Sequence, residues 1–344
     1  MVRVLVAEDS PTVQDLLVWI LQSDPDLQVV GMANDGEEAV RLAARLRPDV
    51  ITMDIHMPRM DGFQATREIM RQTPTPIVVV SATVDTESME TSFSALQAGA
   101  LSVVQKPTGP GNPNYEAVRE GLVTTVKLMS EVKVVRRWGR KPSIPGPSVP
   151  VFPPAPVKVQ AEVVAIAAST GGPAALCQVL CGLPADFPVP VVVVQHISHG
   201  FSEGLVSWLD RATELKVELA RQGDRLSPGR VLVAPDSRHM MVRPGGRILL
   251  GPAGLDNGLC PSANQLFDSV ANAFGAKALG VILTGMGRDG VEGLRRLKVV
   301  GGRVLAQDEA SCVVFGMPKE AITAGLVDRV VPLQQMAAAI VELL

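Results

Sequence analysis

The sequence predicts two doubly wound α/β domains joined by a proline-rich linker. Three observations lead there. Short apolar runs alternate with amphipathic segments on both sides of the middle of the chain, the pattern of parallel strands that cross over through helices. The 344 residues, at ~150 per domain, make room for about two cores. Between them lie seven prolines: Pro142, Pro145, Pro147, Pro150, Pro153, Pro154 and Pro156. Proline fixes φ and donates no backbone hydrogen bond, so this stretch neither continues a helix nor fills a central strand. It reads as an extended, semi-stiff linker, with a proline-rich docking ligand as the alternative.

Residues 2–7 alternate as a strand, and Ser10-Pro11 then opens a helix whose Val13, Leu16, Leu17 and Ile20 share one face. Similar pairs follow at 27–33 with 37–46, 50–53 with 63–71, 77–80 with 87–98, and 101–104 with a helix from Tyr115 onward. Five such units give a first domain over residues 1–123 with one parallel sheet. Residues 124–158 form the linker, basic at first and then proline-rich. In the second domain, residues 159–344, the runs 163–168, 191–194, 279–283 and 303–306 suit a buried parallel sheet. The middle differs: 216–220, 231–233, and the pair 240–243 and 247–250 across a Pro244-Gly245-Gly246 turn. The expectation is a mostly parallel sheet carrying an antiparallel hairpin appendage.

Composition narrows the function. With 32 basic against 35 acidic side chains, the chain is no globally basic nucleic-acid binder. No run of ~18 uncharged apolar residues suits a bilayer span, and the N-terminus enters a strand pattern at once, so a cytoplasmic protein is expected. Cys177, Cys181, Cys260 and Cys312 form no close CxxC pair and read as reduced thiols. Cys177 and Cys181 share a helix face and read as core packing.

Ligands of a parallel sheet sit at the carboxyl ends of its strands. In the first domain those ends carry Glu8 and Asp9, Asp54, Ser81, and Lys106-Pro107. Singly, an Asp at a strand end is a turn former and a Lys-Pro is a loop. Together, carboxylates gathered at one edge repel one another unless a cation neutralises them, and octahedral Mg²⁺ with its oxygen preference meets that need. One carboxylate is then placed to attack a phosphoryl group, with Lys106 and the Ser81 hydroxyl on its oxygens.

These residues, with Asp54-Ile-His-Met-Pro-Arg-Met-Asp-Gly62 and Ser81-Ala82, make residues 1–123 resemble a response-regulator receiver domain, a flavodoxin-like (βα)5 fold. The resemblance implies that Asp54 accepts phosphate from a histidine kinase. It implies that Glu8, Asp9 and Asp54 hold Mg²⁺, and that Ser81 and Lys106 read the phosphoryl group. Receivers usually carry an aromatic three residues before the lysine, where this chain has Val103. That departure bears on the rotamer switch, not on the phosphorylation chemistry.

In the second domain Ser169 follows a strand and precedes Thr170-Gly171-Gly172-Pro173, beside the free N–H groups of a helix start where negative charge is stabilised. His196 ends the next apolar strand. Asp289 stands in the glycine-rich turn Thr284-Gly-Met-Gly-Arg-Asp289-Gly290. Each has a bland reading, as N-cap or structural histidine. Three strand ends bearing Ser, His and Asp nevertheless supply a nucleophile, its base and the carboxylate that orients the base. The order Ser-His-Asp and the lack of a GxSxG elbow argue against an ordinary α/β-hydrolase.

The stretches Ala168-Ser169-Thr-Gly-Gly-Pro173, Val194-Gln195-His196, Gly285-Met-Gly-Arg-Asp289-Gly290, residues 307–318, Arg238-His239-Met240 and Pro261-Ser262-Ala263-Asn264 resemble the chemotaxis protein-glutamate methylesterase (CheB) family. The resemblance implies Ser169 as nucleophile, His196 as general base and Asp289 as orienting acid. It gives the Met286 N–H as an oxyanion donor, with the turn at Thr170 as a second. It also implies methylesterase and glutamine deamidase action on methyl-accepting chemoreceptors, with no metal at the esterase site. His199 reads as a loop residue, His239 as structural or substrate-lining, and His56 as solvent-facing. Lys127, Lys133, Arg136, Arg137, Arg140 and Lys141 oppose only Glu131 and read as a solvated helix end, or as a docking patch for an acidic surface. A non-enzymatic regulator with a degenerate hydrolase domain is the competing class, and an output other than swimming is a third reading.

Overall fold

A computed structural model describes residues 1–81, 93, 95–96, 98–109, 111–112, 115–132, 134, 160–197, 199–252 and 259–344. Most of the helix expected over 87–98, the proline run, and Lys133, Arg136, Arg137, Arg140 and Lys141 lie outside the described residues, as do Ala82 and Ser198.

The first sheet comprises β1 (Val2–Ala7), β2 (Leu27–Ala33), β3 (Val50–Met53), β4 (Ile77–Ser81) and β5 (Ser102–Gln105), in the order β2-β1-β3-β4-β5. Every pairing is parallel. Its described helices are α1 (Pro11–Gln22), α2 (Gly36–Leu46), α3 (Gly62–Gln72) and α4 (Tyr115–Ser130). Asp35 and Asp61 cap α2 and α3 by accepting from the N–H groups of Glu38 and Gln64. The sheet reverses direction of growth between β1 and β3, so Glu8, Asp9 and Asp54 flank the switch point. Helix α4 continues through Ser130, beyond residue 123, and its Lys127 is bound by Asp24 and Asp26.

The second sheet has seven parallel strands: β6 (Val163–Ala168), β7 (Val191–Gln195), β8 (Lys216–Leu219), β9 (Arg230–Val233), β12 (Ala278–Ile282), β13 (Arg303–Gln307) and β14 (Arg329–Val331). The order is β14-β13-β12-β6-β7-β9-β8. Strands β10 (Arg238–Arg243) and β11 (Arg247–Pro252) form the expected antiparallel hairpin. Gly245 and Gly246 in its turn have φ of 85° and 69°, a region only glycine enters freely. Two expectations change. Residues 216–220 and 231–233 fall in the main sheet as β8 and β9, with β9 paired in parallel to β7 and β8 paired in parallel to β9, rather than in the appendage. Strand β14 adds an edge that apolar periodicity misses, because two of its three residues are exposed.

The helices are α5 (Gly172–Cys181), α6 (Ser202–Ala212), α7 (Ala263–Phe274), α8 (Val291–Val299), α9 (Met317–Thr323) and α10 (Leu333–Val341). Strands β6, β7 and β12 are buried on both faces, which is why they read as unbroken apolar runs. The hairpin covers one face by packing Met240, Val242 and Ile248 with Leu266, Phe267 and Val270 of α7. The two domains touch: the Phe93 ring meets Phe201 edge-on at 6.3 Å and stacks on Trp208 at 5.9 Å. Val313 and Val314 pack against the apolar cluster beneath α4. Among the described residues no helix is long and apolar enough to cross a membrane.

Candidate active site

The strand ends of the first domain bring Glu8, Asp9, Asp54 and Lys106 together at one edge. Asp54 continues β3 and its N–H donates to the Ala7 carbonyl at 2.9 Å, which sets it beside Glu8 and Asp9 at the end of β1. Ligand oxygens of Glu8, Asp9 and Asp54 all lie within 4.8 Å of one another. The Lys106 ammonium stands 2.8 Å from Asp54 Oδ2 and 2.8 Å from Glu8 Oε2. Burial, then the Asp54 charge, push the Glu8 carboxyl above its ordinary value despite Lys106. Burial alone would lower Lys106, but the two carboxylates hold its ammonium above the usual lysine range. An all-carboxylate set of hard oxygen donors with surplus negative charge fits Mg²⁺. Ser81, buried at the end of β4, accepts the Lys106 N–H on its carbonyl at 2.8 Å. Gly62 is required where the loop closes, since a Cβ there would fall 2.0 Å from the Asp54 carbonyl oxygen. His56 is exposed, as expected.

In the second domain, β6 lies between β7 and β12, so its end is flanked by the turns that carry the other two candidate residues. The last register pair of β6 and β7 is Ala168 with Gln195, and the His196 N–H donates to the Ala168 carbonyl at 2.9 Å. Ser169 and His196 therefore follow at adjacent strand ends. The Ser169 N–H donates to the Thr284 carbonyl at 3.0 Å, which ties the serine to the turn after β12. Gly285 must lack a side chain, because a Cβ would sit 2.6 Å from Ser169 Cβ.

His196 Nε2 lies 2.9 Å from Asp289 Oδ2. An ionised carboxylate only accepts, so Nε2 carries the proton and Nδ1 is left as the basic nitrogen. Asp289 is held by four further donors. Its Oδ2 accepts the Ala263 N–H at 2.7 Å, and its Oδ1 accepts the Ser262 hydroxyl at 3.1 Å and the N–H groups of Asn264 at 3.1 Å and Gly290 at 3.0 Å. Two of these are N–H groups of the first turn of α7, where the helix field favours an anion. Burial would raise this carboxyl. The His196 ring and then the Ala263 and Asn264 N–H groups outweigh it and hold Asp289 below the ordinary carboxylate range.

His196 and Asp289 are thus hydrogen-bonded to each other. Among the described residues no hydrogen bond joins the Ser169 hydroxyl to the His196 ring; in substrate-free sites such links are often long and tighten on binding. No acceptor among the described residues engages the N–H of Thr170 or Met286, the two donors expected at an oxyanion, and the Met286 side chain is 45% exposed at the rim. Cys312 is no rival nucleophile: burial and then Asp308 push its thiol up to about 12.

The other histidines separate cleanly. His199 is exposed and pairs through Nδ1 with Asp236 at 3.1 Å, in the loop before α6. His239 is buried and its Nδ1 accepts the Ser262 N–H at 3.2 Å, a structural role behind Asp289. Cys177 is buried as expected, but Cys181 is exposed on the turn of α5 nearest its end, 3.7 Å away sulfur to sulfur. Sequence reasoning gave no role to Gln195, Ser262, Thr284 or Gln307. Thr284 Oγ1 donates to the Thr170 carbonyl at 3.0 Å, and Gln307 Oε1 accepts the Thr284 N–H at 2.8 Å. The signal was present: a glutamine closes each of the apolar strands β7 and β13.

A family profile described as CheB methylesterase matches residues 164–340, and one described as response regulator receiver domain matches residues 4–112. The chain is 55% identical over 336 residues to protein-glutamate methylesterase/protein-glutamine glutaminase 4 of Myxococcus xanthus (strain DK1622), covering 98% of this chain and 95% of that protein. It is 47% identical over 345 residues to protein-glutamate methylesterase/protein-glutamine glutaminase 1 of Syntrophus aciditrophicus (strain SB), covering 100% of this chain and 98% of that one. Among solved structures, the Thermotoga maritima CheB methylesterase catalytic domain matches with a TM-score of 0.52 at 39% identity, over 54% of this chain and all of that domain.

Proposed function

The chain belongs to the CheB methylesterase family, with a receiver domain in front of the catalytic one, and from that premise we propose a phosphorylation-regulated serine hydrolase of methylated receptor glutamates. The substrate is the γ-glutamyl methyl ester of a methyl-accepting chemoreceptor, and the same site deamidates glutamine side chains. The observation that carries this reading is the His196–Asp289 pair at 2.9 Å beside the strand end that bears Ser169.

Ser169 Oγ attacks the ester carbonyl carbon while His196 Nδ1 takes the hydroxyl proton. The N–H groups of Thr170 and Met286 receive the oxyanion. The C–OCH₃ bond then breaks, and His196 returns the proton to the leaving oxygen, giving methanol. Water attacks the acyl-enzyme with His196 again as base, the C–OSer bond breaks, and the proton returns to Ser169 with glutamate as product. With glutamine, ammonia leaves in place of methanol. Asp289 stays ionised throughout and holds the ring in its Nε2–H tautomer.

In the receiver, an oxygen of Asp54 attacks the phosphorus of a phosphohistidine on the partner kinase, and the P–N bond breaks. Glu8, Asp9 and Asp54 would hold Mg²⁺, which supplies charge neutralisation at the phosphoryl oxygens when bound. Lys106 leaves its bridge between Glu8 and Asp54 to pair with the phosphoryl group, and Ser81 donates to it. The unphosphorylated receiver restrains the esterase by docking. Supporting this, Phe93 sits on Phe201 and Trp208, and Val313 lies against both the receiver cluster and the turn after Ser169, where a Cβ on Gly171 would come 2.6 Å from it. Phosphorylation shifts the docking equilibrium toward the open form.

The test is methanol release from methylated receptor by the wild type and by Ser169→Ala, each with and without a small-molecule phosphodonor. Release by the wild type, increased by the phosphodonor and absent in Ser169→Ala, is expected. Undiminished release by Ser169→Ala would rule the reading out.

A further inference from the structure

Gln195 is the last residue of β7, 3% exposed, and the only polar residue in a strand that otherwise reads Val191-Val-Val-Val194. Its Nε2 donates to the Ser169 carbonyl at 2.7 Å and to the His196 carbonyl at 2.8 Å. Both partners only accept, so the amide has one workable orientation; flipped, its oxygen would face two others. The Ser169 carbonyl also accepts the Gly172 N–H at 2.8 Å, and is thereby pinned from two sides. The Gln195 Oε1 is buried and has no hydrogen-bond partner among the described residues. It lies where a side chain on Gly172 would begin, 2.0 Å from a Cβ built there.

An unpaired buried oxygen costs free energy, and packing alone would favour another valine at this position. The placement gives the reason the cost is borne. The His196 N–H to Ala168 carbonyl bond is the last rung between β6 and β7. Past it, no backbone hydrogen bond among the described residues joins the segments carrying Ser169 and His196 to each other. The Gln195 amide bridges both carbonyls just beyond that rung and replaces the missing ladder.

We propose that Gln195 is a positioning residue that sets the spacing between Ser169 and His196, a role that rests on the serine-hydrolase reading. It touches no reacting atom and acts by holding the two residues that do. Spacing errors of about 1 Å at reacting groups cost on the order of 100-fold in rate.

The test uses the full chain and a fluorophosphonate probe, which phosphonylates an activated serine hydroxyl with loss of fluoride. Labelling rates are measured for the wild type, Ser169→Ala, Gln195→Met and Gln195→Glu between about pH 5 and 9, with melting temperatures alongside. Gln195→Met removes both donors at similar volume and is expected to label at least about tenfold more slowly at every pH, with no change in the shape of the profile. Gln195→Glu has one donor when protonated and none when ionised. Its rate is expected within about threefold of wild type at the acid end, falling at least about tenfold below it as the new carboxyl ionises. Wild-type labelling rates in well-folded variants, or parallel pH profiles for the Met and Glu variants, overturn the proposal. Failure of the hydrolase reading looks different: the wild type is not labelled, or Ser169→Ala still is.

Discussion

The carboxylate of Asp289 does two jobs that a single substitution separates. As an ion it accepts five hydrogen bonds, four of them from the Ser262 hydroxyl and from the N–H groups of Ala263, Asn264 and Gly290, and the fifth from His196. In Asp289→Asn the amide oxygen at the Oδ1 position keeps the Ser262, Asn264 and Gly290 donors. The NH₂ at the Oδ2 position then opposes the Ala263 N–H and donates to His196 Nε2. The stability loss is that of one stranded buried donor, about 1–3 kcal/mol, which lowers the melting temperature by about 2–12 °C in a domain of this size. The loss in kcat is far larger, about 10⁴-fold, because the proton is forced onto His196 Nδ1 and no base remains for Ser169. Asp289→Ala strands all the donors and is expected to cost more stability, about 3–5 kcal/mol, with no greater loss of rate. Methanol release and thermal denaturation of both variants measure the two quantities. An Asn variant retaining more than about one-tenth of wild-type kcat would refute the argument that Nε2–H is the working tautomer.

Three further outcomes are expected. Asp54→Asn abolishes stimulation by a small-molecule phosphodonor, and equal stimulation of the variant, followed by methanol release, would remove Asp54 from the switch. Phe93→Ala deletes two interdomain aromatic pairs worth about 0.5–1.5 kcal/mol each, so basal activity without phosphodonor rises about 5- to 150-fold; a lowered or unchanged basal rate in a folded variant would place the restraint elsewhere. Because Asp289 is held below its ordinary value, its contribution to stability is full above its unfolded value of about 4 and is lost as pH falls through its lower folded value. Urea titrations should therefore show a wild-type advantage over Asp289→Asn that is flat above about pH 5 and shrinks in acid, whereas an advantage that grows in acid would contradict the depressed carboxyl.

What could be read along the chain was whatever repeats with a short period or sits within a few residues of a strand end. The apolar runs of β1, β3, β6, β7 and β12 announced parallel sheets because both their faces are buried. Glu8, Asp9, Asp54, Lys106, Ser169, His196 and Asp289 were visible because chemistry in such sheets gathers at the carboxyl ends. The segments of β8 and β9 did not read as part of the parallel sheet, because the pairing of β9 with β7 and of β8 with β9 joins distant segments and no local pattern encodes it. The absence of an aromatic at Val103 was legible too, but not that Val103 packs into the same apolar cluster as Phe93, whose ring reaches the other domain.

Local order in the chain thus determined the two parallel α/β sheets and the residue types at each strand end, since these depend on periodicity and on neighbours in sequence. The tertiary structure alone decided which nitrogen of His196 meets Asp289, that N–H groups in the first turn of α7 donate to that carboxylate, and that Gln195 bridges the carbonyls of Ser169 and His196. Each of those is a hydrogen bond between residues brought together by packing. Its geometry depends on where whole strands and helices come to rest, and a linear pattern holds no record of that.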